Sequence, residues 1–123
     1  MKTAIDSIVV EGREYVPKDS VKKMAVDCFG KKYQIVRSYG AGVFAGYVES
    51  RNGQEVVMRN ARRLYYWDGA ASLSQLAMEG VKKPQNCKFP CEVDRVELLQ
   101  VIEVLDCTEE AKKSIAEVSV WQM

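Results

Sequence analysis

Residues 59 to 69, "RNARRLYYWDG", place Arg59, Arg62 and Arg63 beside Asn60, Tyr65, Tyr66 and Trp67. Guanidinium forks meet phosphate oxygens bidentately, an amide both donates and accepts, and an aromatic ring stacks on a base. Those are the demands of a nucleotide-like ligand. Arg37, Tyr39 and Phe44 stand on neighbouring predicted strands, close enough to complete such a site. The same residues also fit an edge or partly covered strand whose tyrosines pack by their rings while the arginines reach solvent or glutamates. If residues 61 to 67 alternate as a strand, Arg62, Leu64 and Tyr66 share one face and Arg63, Tyr65 and Trp67 the other, so neither face is plain core.

Catalysis has little to work with. The chain has no histidine, which removes imidazole acid-base chemistry, Ser/His and Cys/His nucleophile pairs and histidine metal ligands. Gly-rich phosphate loops, carboxylate metal motifs and activated-nucleophile signatures are also missing from the sequence. A non-enzymatic binding role leads. A nucleotide hydrolase using Asp68, Asp94 or nearby glutamates is one rival, and direct docking on a host protein through the Tyr and Trp patch is another. No cofactor is expected.

The elements that must position this cluster belong to one domain spanning residues 1–123. Hydrophobic residues at 47% and charged residues at 28% are globular values. A net charge of +1 argues against duplex nucleic acid as partner, because that needs a broad basic face. The N-terminus carries acidic residues where a secretory leader would be apolar, and no apolar run reaches membrane-spanning length, so a cytoplasmic protein without membrane contact is expected. Cys28, Cys87, Cys91 and Cys107 are expected as reduced, partly buried thiols; a structural zinc is the alternative.

The pattern is α+β: an antiparallel β-sheet core, a meander, with helices mainly in the C-terminal half. "SIVVEGREYVP" reads as two short strands around Gly12, and "KDSVKKMAVDCFG" as a short helix or an irregular connection. From residue 31 to 67, β-branched and aromatic residues alternate with turn residues, and Asn52-Gly53 predicts a type I′ hairpin. "DGAASLSQLAMEG" predicts a helix stopped by Gly80; "VKKPQNCKFPCEVD" predicts a loop. "RVELLQVIEVLD" leans to strand, "CTEEAKKSIAEV" predicts a helix capped by Thr108, and "VSVWQM" either adds a short strand or docks through Trp121. Gly40, Gly42 and Gly46 crowd a strand region, which implies a bulge or the close approach of another backbone, subunit or ligand.

The ordered segments "VRSYGAGVFAGYVE", "RNGQEVVMRNARRLYYWDGAASLSQLAMEGV", "CKFPCEVDRVEL" and "TEEAKKSIAEV" resemble the phage Thoeris anti-defence proteins of the first described type. The resemblance runs over roughly residues 31 to 121. It implies a molecular sponge: a protein that binds the cyclic ADP-ribose isomer made by bacterial TIR proteins as an alarm signal and holds it without cleaving it, in the host bacterial cytoplasm. It also implies a homo-oligomer, a dimer or an assembly of dimers, with the ligand at the protomer boundary, and extends to cyclic trinucleotides at separate sites. With it, Phe89 and Arg95 join the candidate ligand residues, because an intersubunit site draws on distant stretches.

Overall fold

The computed structural model describes Met24 and residues 30–122. The hairpin expected before residue 18, the helix or connection over residues 18–29 apart from Met24, and Cys28 lie outside the described residues. The elements in chain order are β1 (Tyr33–Ser38), β2 (Gly42–Asn52), β3 (Glu55–Arg63), α1 (Leu73–Glu79), β4 (Glu92–Leu98), β5 (Val101–Asp106) and α2 (Glu109–Ala116). The strands form a single antiparallel sheet in the order β4-β3-β2-β1-β5.

That order forces curvature. β4 and β5 occupy opposite edges, yet only Leu99 and Gln100 separate them in sequence. In a flat sheet the outer strands of five would stand about 19 Å apart, whereas the three Cα steps from Leu98 to Val101 reach at most about 11 Å. The sheet therefore rolls until its edges approach. Gln100 takes φ 56° to make the corner, its carbonyl accepts from the Tyr39 amide at 3.0 Å, and the Val101 amide donates to Gln54 at 2.9 Å. The Ser38 hydroxyl donates to the Leu99 carbonyl.

Two β-bulges assist the roll, since an extra residue in one strand bends it and increases its twist. One lies in β3, where Tyr47 pairs with Arg59 and Ala45 with Arg62, so one residue of β2, Gly46, faces two of β3, Asn60 and Ala61. The other lies in β2, between the Val48–Met58 and Ser50–Val57 pairs.

Rolling divides the apolar residues into two cores. Ile35, Ala45, Leu64 and Phe89 pack beneath Leu76 and Ala77 of α1 and Ala111 and Ile115 of α2. Val36, Phe44, Val56, Met58, Ala61, Leu98 and Val101 form a second cluster drawn from the strands alone; Leu98 and Val101 flank the link between the edges, which places this cluster inside the roll. Strand residues alternate between the two, Ile35 outward and Val36 inward, which explains why "VFA" at residues 43–45 is apolar on both faces. Each fully buried Ile, Leu, Phe or Met contributes roughly 2 kcal/mol of transfer free energy.

The helices are short and tied to each other. Ser72 caps α1 by accepting from the Gln75 amide at 3.2 Å, and Gly80 ends it at φ 78°. A β-carbon at Gly80 would fall 2.3 Å from that of Ser114, so the glycine lets α1 and α2 touch. Thr108 caps α2 by accepting from Ala111 at 3.0 Å and donates to the Met78 carbonyl at 2.8 Å.

Local sequence expectations hold for the meander, both helices and the Thr108 cap. The Asn52-Gly53 hairpin forms one residue later: Gly53 and Gln54 are the central pair, and only Gly53 has positive φ, at 63°. That is the pattern of a type II′ turn, which needs glycine only at its first central position. "RVELLQVIEVLD" is strand on both sides of the Leu99–Gln100 corner, not one run. The expected 81–94 loop contains a 3-10 turn at Pro84–Asn86 and the start of β4. After Arg63 the chain leaves the sheet, keeping one bridge from Tyr66 to Lys88, so the alternation expected for residues 61 to 67 stops at Arg63. The tail returns as one parallel bridge, Phe89 to Val120.

Candidate functional site

The arginine run does not converge. Arg62 turns to the outer face and is 7% exposed. Its Nε donates to the Pro90 carbonyl at 2.8 Å, Nη1 to Ile115 at 2.8 Å, and Nη2 to Phe89 at 3.0 Å and Val118 at 2.7 Å. Four of the five guanidinium donors are thus spent on main-chain acceptors, which leaves no fork for a phosphate. Ile115 lies in the last turn of α2, where the carbonyl ends of the helix favour a cation. No carboxylate of the described residues lies within ion-pair distance of Arg62, so its charge is balanced by dipoles. Burial pulls its proton affinity down from the usual guanidinium value, while nearby Tyr33 and Glu92 act the other way.

Arg63 turns to the inner side, its guanidinium 4.4 Å from the centre of the Phe44 ring, and donates to the Ala41 carbonyl. Phe44 is core, as is Phe89, whose ring lies 5.5 Å under the Arg62 guanidinium. Arg37 pairs with Glu103 across to β5 at 2.8 Å, and Tyr39 is exposed in the turn after β1. Arg59 and Arg95 are cross-strand partners. Arg59 binds Glu49 at 3.2 Å and the Asp94 carbonyl at 3.1 Å, while Arg95 pairs with Glu97 at 2.8 Å. Trp67 packs partly buried against the outer cluster. Tyr65 stacks on Trp121 with ring centres 5.3 Å apart and planes 3° from parallel, and Tyr65 is 63% exposed.

Of the residues singled out in the sequence, the structure brings Asn60 and Arg62 together in one cleft of about 390 Å³. Tyr33, Tyr47, Glu92 and Lys112 complete its polar wall, and the end of α2 closes one side. The β3 bulge creates Asn60's position: its backbone is left-handed, φ 49°, which asparagine tolerates better than most residues. Opposite the bulge stands Gly46, where a β-carbon would come within 2.8 Å of the Ala61 Cα. The glycine noted in the strand is therefore what lets β3 bow outward at Asn60.

Tyr33 and Tyr47 meet edge to face, centres 5.2 Å apart, and the Lys112 ammonium lies 5.9 and 5.1 Å from the two ring centres. Burial, reinforced by Cys107 and Tyr47, raises the Tyr33 phenol well above its usual range, so it is a neutral donor at physiological pH. The cleft combines two cationic side chains, one carboxylate, an amide and two phenols. This set suits an anionic ligand that also carries hydroxyls, and its size is that of a small-molecule site.

Four of these residues escape sequence reasoning. Tyr33 and Tyr47 read as ordinary strand packing, and Lys112 as the solvated face of α2. Glu92 is one of many surface glutamates. The recoverable cue is Gly46, which marks a bulge without saying which residue it projects. A second cleft, of about 530 Å³, adjoins the first through Val120 and is walled by Cys87, Glu117 and Trp121. Cys87 and Cys107 are buried free thiols and Cys91 is exposed. Among the described residues no three Cys, Asp or Glu side chains cluster as a metal site, and no helix is long and apolar enough to cross a membrane.

Residues 31–115 match a family described as a domain of unknown function, DUF6948. No curated protein and no solved structure matches the chain. The match covers more than half of the sequence, and the chain belongs to this family.

Proposed function

We propose that this DUF6948 protein is a phage anti-defence sponge: it binds and sequesters, without cleaving, a cyclic ADP-ribose isomer made by TIR proteins of the Thoeris system. The observation that carries the reading is the cleft, where Arg62 is held with no carboxylate partner among the described residues and Lys112 stands beside Asn60 and the tyrosines. A buried guanidinium balanced by carbonyl dipoles and not by a carboxylate, with an ammonium nearby, keeps the local field positive and favours a phosphate-bearing guest. The segment resemblance supplies the identity of the signal, and the absence of histidine fits retention rather than cleavage. In this reading the open side of the cleft is closed by a second copy, giving a homo-oligomer in the host bacterial cytoplasm, and enclosure slows release as a sponge requires. Cyclic trinucleotides occupy separate sites.

The test is to incubate the protein with the product of an active TIR enzyme, remove free ligand, denature the protein and identify the released molecule by mass. Intact cyclic signal is expected; a cleaved product makes the protein a hydrolase. One observation favours another reading. Tyr65, Tyr66 and Trp121 are 63%, 51% and 38% exposed, a patch suited to docking on a host protein. Recovery of no nucleotide would leave that reading in place of the sponge.

A further inference from the structure

Tyr33 is 93% removed from solvent by its 7% exposure, and it lines the cleft. Its ring is fully used: Tyr47 packs against it edge to face and Lys112 lies over it. Its hydroxyl is not, because among the described residues nothing accepts from it or donates to it. A buried phenol ordinarily finds a partner, and leaving one unmade costs free energy. The neighbouring polar groups are committed in another sense. Arg62 is fixed on four carbonyls, and Asn60 is held by a left-handed bulge that Gly46 makes room for.

We propose that the Tyr33 hydroxyl is a ligand-binding group, donating to a phosphate or sugar oxygen of a sugar phosphate seated between Asn60, Glu92 and Lys112. The donor set of phenol, ammonium and amide answers phosphate oxygens. The Glu92 carboxylate, which only accepts, answers sugar hydroxyls. A flat base is the poorer occupant, since Lys112 already lies over both tyrosine rings and stacking would have to displace it. The proposal deepens the sponge reading, resting on the same cleft, by assigning it the ribosyl-phosphate part of the ligand.

The probe is ribose 5-phosphate, titrated into the full chain and followed by the NMR shift of the Asn60 side-chain amide. Wild-type protein is expected to saturate, and Tyr33→Phe, which deletes one oxygen, to bind about tenfold more weakly. Its thermal midpoint should stay level or rise, because an unpaired buried hydroxyl has gone. Equal affinity in the two proteins overturns the assignment, as does the absence of any wild-type binding. A midpoint lowered by several degrees overturns it too, by revealing an internal partner. The two readings fail separately. Normal retention of the TIR product by Tyr33→Phe removes the Tyr33 contact and leaves the sponge; ribose 5-phosphate binding that depends on Tyr33, with no TIR product retained, keeps the contact and removes the sponge.

Discussion

Arg62 and Arg63 follow one another in β3, yet Arg62 is buried on the outer face among four carbonyls and Arg63 lies exposed at the rim of the inner core over Phe44. The same contrast separates the two cores. The outer one contains Tyr33, Cys87 and Cys107 among its buried members, while the inner one is built of Val, Phe, Met, Ala and Leu. Polar chemistry is concentrated where a sheet face meets helix ends, because those ends bring carbonyls that accept from buried donors. Inside the roll the strands satisfy their own backbone and leave room only for hydrocarbon.

The contrast can be broken most forcefully at Arg62. Arg62→Ala should cost about 4 kcal/mol in urea unfolding, since it strands three buried acceptors and one half-buried one and opens a void between β3, α2 and residues 89–90. A loss below about 1 kcal/mol would mean that water replaces the guanidinium at little cost and that the residue is not the tie it looks like. The outer core should also respond to alkali as the inner core cannot. Burial raises the Cys107 thiol from about 9 to about 12 and raises Tyr33 above its ordinary value of 10. Both folded groups are raised, so below about pH 8 neither state ionises appreciably and their contribution is fully present. From about pH 8 upward the unfolded chain sheds protons that the folded one keeps, and stability falls as pH rises. The urea midpoint should therefore decline between pH 8 and 11, less steeply in a Cys107→Ala, Tyr33→Phe double variant; an unchanged slope would locate the effect elsewhere. The smallest effect is expected at Arg63→Ala, under about 1 kcal/mol, because its cation–π contact is made from an exposed position. A larger loss would show that the rim arginine seals the inner core.

Much of the frame was legible in residues 31–67, where β-branched alternation and turn glycines mark three strands, and in Gly80 and Thr108, which stop the first helix and start the second. Those signals are local. The roll is not, because nothing within "RVELLQVIEVLD" says that its two halves will occupy opposite edges. The site was only half legible for the same reason. Alternation correctly put Arg62 and Arg63 on opposite faces, but which face met a helix end, and so which arginine would be consumed by the fold, depended on α2 more than fifty residues later. Asn60 stood out by type, whereas Tyr33, Tyr47, Glu92 and Lys112 acquire meaning only by convergence.

The Leu99–Gln100 corner also governs the order in which the molecule can assemble. The β1–β2, β2–β3 and β3–β4 pairings join consecutive strands, whereas β5 must reach back to β1, joining residues such as Gln34 and Asp106. With so short a tether, the β3–β4 and β1–β5 pairings can coexist only once the hairpins have curled, so whichever edge pairs second waits for the roll. Closure of the roll is then a single event joining the most distant parts of the chain, the kind of non-local step that slows folding. Lengthening the corner would release that order without touching a core residue.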